Sequence, residues 1–293
     1  MEPDAGPQPV YALLSSPRAS LDMTMYELED ATAESDLAAD AARGVKVRVV
    51  LDQTLEASRN QAAYRYLTAH GVSVHWGPAG FHAVHEKAFV IDGATAVIMS
   101  MNLTIRYYSD TRDLVVVDPA PADVAAVEAT FDADFAGGAG DAGAPPSPGA
   151  DLIWSPGSEA AMVDLIKGAH RRVILESEEM SDSPVIDALA AAAQRGVDVT
   201  VVMTYDSEWS SAFSRLRDAG AHVRTYAASA PLYIHAKAIV IDGASAFVGS
   251  ENLSFDSLNR DRELGLVTTQ AGLVGGVASV LNADAAGATP YRG

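Results

Sequence analysis

The sequence predicts an α/β protein built from two similar halves that share one functional site. Alanine-rich helical stretches alternate with short β-branched strands, which is typical of α/β architecture. A set of polar residues occurs twice, 150 positions apart, and a segment rich in Gly and Pro separates the two copies. From these observations we expect a first repeat at residues 1–136, a linker at 137–151 and a second repeat at 152–293.

The predicted linker reads GGAGDAGAPPSPGAD and holds almost no large apolar side chain that could pack. On either side of it the same elements recur. Residues 37–52 read LAADAARGVKVRVVLD and residues 189–204 read LAAAAQRGVDVTVVMT, which predicts a helix, a glycine stop and a strand in each half. The further matched elements are helices that end at Gly71 and Gly220 and short strands at 72–75 and 221–226.

The first repeat differs from the second at its beginning. The second opens with a predicted helix at 159–170 and a strand at 172–176, whereas Pro3, Pro7, Pro9 and Pro17 predict no full helix in the first. Residues 1–9 show neither a basic segment nor an apolar core typical of a signal peptide. We therefore expect an N-terminus from which a signal peptide has been removed, and hence a secreted protein. A cytoplasmic location is the alternative.

The repeated polar set begins with a histidine and a lysine two positions later. The full sets are His85, Lys87, Asp92, Ser100, Asn102 and Asp113 in the first half, and His235, Lys237, Asp242, Ser250, Asn252 and Glu263 in the second. Residues two apart on a strand share a face, so each His and Lys should point to the same spot.

An Asp-Gly pair follows each predicted motif strand, at 92–93 and at 242–243. Asp-Gly is a hairpin signal, so a return strand should bring the Ser and Asn of each half back towards its histidine. For Asp92 and Asp242 this pattern favours a structural role in the turn over direct chemistry.

The pattern His-x-Lys-x4-Asp-x6-Gly-Ser-x-Asn, present twice, resembles that of the phospholipase D superfamily of phosphodiesterases and phosphatidyl transferases. The second copy matches at every position, and the first has Met99 where the family has glycine, which predicts a loop that approaches the phosphate less closely. The resemblance implies that each half is a β-sheet flanked by helices. It also implies that the halves pack about a pseudo-twofold axis with their motifs facing one shared active site.

The chemistry implied by this resemblance is metal-independent and uses no cofactor. His85 would attack phosphorus to form a phosphohistidine, and His235 would act as acid and then as base, although the complete second motif could host the nucleophile instead. Asp113 would orient His85, and Glu263 would orient His235, each within its own half. The groups expected to bind the phosphoryl oxygens are Lys87, Lys237, Ser100, Asn102, Ser250 and Asn252.

We therefore expect a phospholipase D-type phosphodiesterase, acting as a monomer, that hydrolyses and transphosphatidylates glycerophospholipids at a membrane or micelle surface. The alternatives are a nuclease or another phosphodiesterase of the superfamily, and a phosphate-binding module without turnover. A net charge of −19 disfavours nucleic acid, and no apolar run approaches the roughly 18 residues of a membrane span. The absence of cysteine excludes disulfides and thiolate metal sites.

Three other groups of polar or aromatic residues attract attention. Glu176, Glu178 and Glu179 are interpreted as a solvated strand end rather than an acidic lip of the site. The histidines at 70, 75 and 82 lack the partners of a zinc site and are predicted to lie in loops or at the surface. Either a head-group or acyl pocket or ordinary packing would account for Tyr107, Tyr108, Tyr205, Trp209 and Tyr233.

Overall fold

The computed structural model describes residues 3–137 and 145–293. In the first half, strands and helices alternate up to a long helix that ends at Phe135. The elements are α1 (Gln8–Leu14), β1 (Ser20–Met25), β2 (Leu28–Glu29), α2 (Ala31–Ala42), β3 (Lys46–Leu51), α3 (Ala57–Ala69), β4 (Ser73–Trp76), β5 (Lys87–Ile91), β6 (Thr95–Met99), β7 (Leu103–Thr104), β8 (Thr111–Arg112), β9 (Val115–Asp118) and α4 (Pro121–Phe135).

The second half repeats the main alternation of strands and helices, with a further strand at each end, while the short elements differ between the halves. Its elements are β10 (Leu152–Ser155), α5 (Glu159–Lys167), β11 (Arg172–Glu176), α6 (Ser183–Gln194), β12 (Asp198–Thr204), a 3₁₀ turn (Ser207–Trp209), α7 (Ser210–Asp218), β13 (His222–Tyr226), β14 (Tyr233–Ile234), β15 (Lys237–Ile241), β16 (Ser245–Gly249), α8 (Phe255–Asn259), β17 (Glu263–Thr268), α9 (Ala271–Gly287) and β18 (Thr289–Pro290). The predicted linker lies between α4 and β10, and residues 138–144 of it fall outside the described residues.

Each half contributes one large mixed sheet. Within the described residues the strand order is β4-β3-β1-β5-β6-β9 in the first sheet and β10-β17-β16-β15-β11-β12-β13-β18 in the second. In both, parallel strands lie on one side of the central strand, β1 or β11, and the antiparallel motif hairpin lies on the other. This topology places the motif strands β5 and β15 at equivalent positions.

The two sheets pack face to face around a shared core. Ala88 of β5 and Ala238 of β15 point into this core together with apolar side chains of α4 and α9. Because side chains alternate along a strand, Phe89 and Ile239 point the other way and pack against the outer helices of their own halves. The predicted α/β fold of two repeats, each a sheet flanked by helices, is confirmed.

The structure has a short helix of seven residues in the N-terminal segment, where the prolines predict no full helix. Helix α1 begins at Gln8, directly after Pro7, and carries Pro9 in its first turn. Proline is tolerated there because the first amides of a helix have no intrahelical acceptor. Among the helices in residues 3–137 and 145–293, none has the length and apolar character needed to cross a bilayer.

Asp92 and Asp242 close the motif hairpins at the end of the strand remote from the histidines. Both residues have positive φ angles, of 53° and 56°. The Asp92 carboxylate accepts hydrogen bonds from the backbone amides of residues 18–20, and Asp242 does the same for residues 170–172. Although burial opposes the shift, these backbone donors lower the pKa of each carboxyl. The geometry therefore gives both aspartates the structural turn role that the sequence favoured.

Candidate active site

Each candidate catalytic histidine lies where a strand segment of one half meets the other half. The backbone amide of His85 donates to the carbonyl of Arg262 (2.9 Å), and the amide of His235 donates to the carbonyl of Arg112 (3.2 Å). Short parallel pairings accompany these bonds, between Val84 and Arg262 and between Ile234 and Arg112. The two contacts are equivalent, which gives the site its pseudo-twofold symmetry.

This pairing across the halves determines which acid orients which histidine. Nδ1 of His85 lies 2.8 Å from Oε2 of Glu263, and Nδ1 of His235 lies 2.7 Å from Oδ1 of Asp113. The prediction that each acid serves the histidine of its own half is therefore wrong. The acid follows the arginine that pairs with the opposite histidine segment, so its side chain reaches the opposite ring. A carboxylate at Nδ1 leaves Nε2 to face the pocket.

The two arginines are themselves held across the interface by buried ion pairs. Arg112 binds Asp284 of α9 (Nε–Oδ2 2.6 Å, Nη2–Oδ1 2.9 Å), and Arg262 binds Asp134 of α4 (Nε–Oδ2 2.9 Å). All four side chains are buried. These pairs fix the segments that carry Asp113 and Glu263.

The buried lysine side chains contact the backbone of the candidate catalytic histidines. Nζ of Lys87 donates to the carbonyl of His85, and Nζ of Lys237 donates to the carbonyl of His235, each at 2.6 Å. Both side chains are fully buried. Burial, opposed by Glu263 and reinforced by Lys237, lowers the pKa of Lys87 to about 7. An anion bound at the site would restore the charge of this ammonium.

The serines and asparagines of the motifs have different surroundings. Ser100 and Ser250 are fully buried; the Ser100 hydroxyl donates to Asp113 (2.6 Å), and Ser250 bonds to the backbone of Leu264. Both hydroxyls are therefore engaged in hydrogen bonds within the protein, and their contact with a phosphate stays a prediction. Asn102 and Asn252 line the pocket, and Oδ1 of each has no hydrogen-bond partner among the described residues.

Met99 and Gly249 are equivalent in sequence but pack differently. A Cβ added at Gly249 would lie 2.5 Å from Cα of Gly265 on the neighbouring strand, so glycine is required for close strand packing. Met99 is buried in the outer core of the first half and pairs with Val115 instead. The contrast therefore reflects how β16 packs against β17 and how β6 packs against β9, and the predicted effect of Met99 on the approach to a phosphate stays a prediction.

Buried carboxyl groups surround the His85 side of the site. Burial raises the pKa of Glu263 to about 7 and that of Glu86 to about 8. Glu251 is also buried, and burial together with Glu263 raises its pKa well above the usual value. The second half has Ala236 at the position equivalent to Glu86, so the two half-sites are not electrostatically alike.

One pocket of about 490 Å³ contains both histidines and both asparagines. Of the aromatic residues singled out in the sequence, Tyr107 and Tyr233 line this pocket, and Tyr205 and Trp209 line an adjoining one. Tyr108 is buried and donates to Asp30, which is a packing role. The carboxylates on the wall of the main pocket are Glu27, Glu56, Asp110, Glu178 and Glu179.

Glu176, Glu178 and Glu179 are interpreted from the sequence as a solvated strand end, and this interpretation is wrong for Glu178 and Glu176. Oε2 of Glu178 lies 3.0 Å from Nζ of Lys237 and 3.4 Å from Nε2 of His235. Glu176 is buried beside Asp284, and burial raises its pKa well above the usual value. Sequence analysis misses the contacts of both glutamates because their partners are remote in sequence.

The buried Arg–Asp pairs were detectable in the sequence. Arg112 and Arg262, and likewise Asp134 and Asp284, are separated by the same 150 positions as the motif residues.

Two half-sites that combine a paired histidine, a buried lysine and a pocket-lining asparagine define a protein class whose chemistry is directed at phosphate groups. The family model described as "Cardiolipin synthase, PLD-like domain" matches residues 10–135 and 162–285. The matched segments cover most of the chain. It therefore belongs to this family and, with it, to the phospholipase D superfamily, as the motif resemblance predicted.

The chain is also similar to curated proteins and solved structures. Cardiolipin synthase A of Pseudomonas aeruginosa is 34% identical over 131 residues, which cover 42% of this chain and 26% of that protein. Cardiolipin synthase A of Citrobacter koseri is 35% identical over 103 residues, 33% of this chain and 21% of that protein. The chain thus matches about a quarter of the length of these curated relatives.

Two crystal structures share the fold over nearly the whole chain. Phosphatidylserine synthase of Haemophilus influenzae Rd KW20 aligns with a TM-score of 0.73 and 12% identity, covering 97% of this chain and 85% of that one. Polyphosphate kinase of Porphyromonas gingivalis aligns with a TM-score of 0.70 and 16% identity, covering 94% and 48%. At these identities the likeness concerns the fold.

Proposed function

We propose that this chain is a phospholipase D-type phosphodiesterase that hydrolyses glycerophospholipids and transfers their phosphatidyl group to alcohols. The observation that carries the proposal is the convergence of two histidines in one pocket, each with a carboxylate within 2.8 Å of its Nδ1. Similarity to proteins named cardiolipin synthase A supports a lipid substrate.

In the first step Nε2 of His85 attacks phosphorus. The P–N bond forms, the P–O bond to the leaving alcohol breaks, and the departing oxygen takes a proton from Nε2 of His235. The phosphohistidine carries a positive ring, which the Glu263 carboxylate at Nδ1 stabilises. Lys87, Lys237 and the asparagines bind the non-bridging oxygens, where negative charge builds up.

In the second step water or an alcohol loses its proton to His235, and its oxygen attacks phosphorus. The P–N bond breaks and His85 is released neutral, leaving phosphatidic acid or a phosphatidyl ester. A nucleophile must begin this cycle unprotonated. Burial and the charges of Lys87 and Lys237 lower the pKa of His85 well below its usual value, which supports its assignment as the nucleophile.

The pocket walls favour a lipid over a nucleic acid. Carboxylates line the pocket, and the whole chain has a net charge of −19, so a polyanionic strand would be repelled. Large apolar side chains are exposed around the site: Leu55 (49%) and Phe255 (58%) on the pocket beside His85, and Tyr107 (38%) on the main pocket. Such side chains suit contact with a lipid aggregate.

The proposal is tested with phosphatidylcholine vesicles, ethanol and EDTA, and products are followed by phosphorus NMR. We expect phosphatidylethanol and phosphatidic acid from the parent protein, and neither product from His85→Ala or His235→Ala. Phosphatidylglycerol vesicles form a second arm, because cardiolipin consists of two phosphatidyl groups joined by glycerol and would report transfer between two lipids.

Two outcomes would contradict the proposal. If no phospholipid turns over but single-stranded DNA or a simple diester is cleaved under the same conditions, the substrate is another phosphodiester. If none of these substrates reacts while phosphate still binds, the site is a binding module.

A further inference from the structure

Glu178 contacts the two groups of the second half-site that the proposed mechanism directs at the phosphate. Its Oε2 lies 3.0 Å from Nζ of Lys237 and 3.4 Å from Nε2 of His235, the two groups expected to face the phosphate there. The hydroxyl of Tyr233 donates to Oε1 at 3.0 Å and holds the carboxylate in this position. The side chain is largely buried and lines the pocket.

Among the described residues of the first half, no carboxylate forms a salt bridge with Lys87 in the way that Glu178 does with Lys237. Thr24 and Glu176 pair with Ala88 and Ala238, which are equivalent residues of the two motif strands. Two positions further along, Tyr26 is therefore the counterpart of Glu178.

Tyr26 contributes an aromatic ring to the first half-site, where Glu178 contributes a carboxylate to the second. The ring packs edge-on against His85, with centroids 4.4 Å apart, and Nζ of Lys87 lies 4.7 Å from the ring centroid. Within the described ranges no salt bridge reaches Lys87. The symmetry of the site is thus broken where one half has a carboxylate and the other has a ring.

We propose that Glu178 is a positioning residue that acts as an internal substitute for the substrate phosphate. Before a substrate binds, its carboxylate pairs with Lys237 and lies against Nε2 of His235; the incoming monoanionic diester then displaces it from both groups. The diester thereby comes to lie between His235, the proton donor of the proposed mechanism, and His85, the nucleophile beside the Tyr26 ring. The acid and nucleophile assignments rest on the proposed function, whereas displacement of Glu178 by an anion does not.

The groups that face Glu178 come from both halves. They are Lys237, His235, Tyr233 and Glu179 in the second half, and His85 and Lys87 in the first. Burial would raise the pKa of Glu178, but Lys237 and His235 outweigh it and lower that pKa below its usual value. The carboxylate is therefore ionised, as a substitute for a phosphate oxygen must be.

The test compares Glu178→Gln with Glu179→Gln, which removes a charge from the same pocket wall without an ion pair to Lys237. Binding of inorganic phosphate, measured by calorimetry at pH 7, should tighten roughly tenfold in Glu178→Gln and less than about twofold in Glu179→Gln. Equal effects of the two variants, or no change in either, would overturn the displacement of Glu178 by an anion.

The contact between Glu178 and His235 is followed by nitrogen NMR of the imidazole, with His235→Gln used to assign its signals. In Glu178→Gln the Nε2 resonance of His235 should shift, because the carboxylate 3.4 Å away is lost, while the spectrum of His85 should change little. An unchanged Nε2 resonance of His235 would overturn the positioning role. Because neither readout needs turnover, a protein inactive on lipids with the expected phosphate and NMR results would contradict the proposed function alone.

Discussion

Oε2 of Glu263 lies 2.8 Å from Nδ1 of His85, although the two residues belong to different halves of the chain. The same exchange places Asp113 against His235. Neither half therefore contains a complete acid–histidine pair by itself. The packing of the two sheets does more than bring two half-sites together, since it supplies the orienting carboxylate of each.

The crossed pairing predicts which histidine each acid variant disturbs. Asp113→Asn should change the Nδ1–H resonance of His235 and leave that of His85 in place, and Glu263→Gln should do the reverse. Activity should fall by about 10²–10⁴-fold in either variant, because an amide no longer fixes the tautomer or stabilises the cationic ring. Proton NMR of the low-field imidazole signals makes the test, and disturbance of the histidine in the same half would refute the crossed arrangement.

A second prediction concerns the pH dependence of kcat/KM. The pKa of Lys87 is about 7, and its charged form is the one that binds a phosphodiester. As pH rises through about 7 the ammonium loses its proton, so kcat/KM should fall towards a tenfold loss per pH unit. The substrate diester keeps one negative charge throughout this range. The descending limb of the profile, which is the fall of kcat/KM above pH 7, therefore reflects titration of the enzyme and not of the substrate.

Lys87→Arg provides the matched variant for that profile. Arginine stays charged across the accessible range, so any activity it retains should lack the descending limb near pH 7. A flat profile between pH 6 and 9 in the parent protein would contradict the role given to Lys87.

Much of this site could be predicted because its signals are local. The strand that begins at Lys87, the Asp-Gly hairpin and the matched helix–strand order depend on near neighbours in sequence, and the structure shows each of them. His85 lies two residues before this strand rather than in it. Each motif alone is weak evidence for a functional site, but its repetition at a constant spacing of 150 residues makes the evidence strong.

The features that escaped prediction depend on contacts between segments remote in sequence. Asp113 and His85 share a half, but the pairing of β8 with β14 carries Asp113 to the opposite histidine. Glu178 follows a strand end, where acids are usually solvated, and only packing brings Lys237 beside it. Local pattern contains no information on either contact.

A third prediction concerns the ion pairs that hold the halves together. Asp284→Asn removes a carboxylate from beside the buried guanidinium of Arg112, and Asp134→Asn removes the equivalent group. Each should lower the free energy of unfolding by about 3–5 kcal/mol, measured by urea denaturation. The control is Asp198→Asn, which removes an exposed carboxylate 3.6 Å from Arg172 and should cost less than about 1 kcal/mol. Similar losses in all three variants would refute a special role for the buried pairs.

The last prediction follows from the buried acid Glu86, which lies near Asp134 and Arg262. Its pKa is about 8 in the folded protein against 4.5 for an unperturbed glutamate. Between these values the folded state holds a proton that the unfolded state has lost. This contribution to stability is therefore lost as pH rises from about 4.5 to 8, by up to about 1.4 kcal/mol per pH unit.

Glu86→Gln should accordingly be more stable than the parent at pH 8 and show a shallower decline of stability with pH; part of the decline should remain, because Glu263 also has a raised pKa. Urea denaturation at pH 5, 6.5 and 8 measures this, with the exposed Asp164→Asn as a control expected to keep the parental slope. The equivalent position in the second half is Ala236, so the fold does not need an acid there. If the stability curves of Glu86→Gln and the parent run parallel, Glu86 is ionised on both sides of the folding equilibrium.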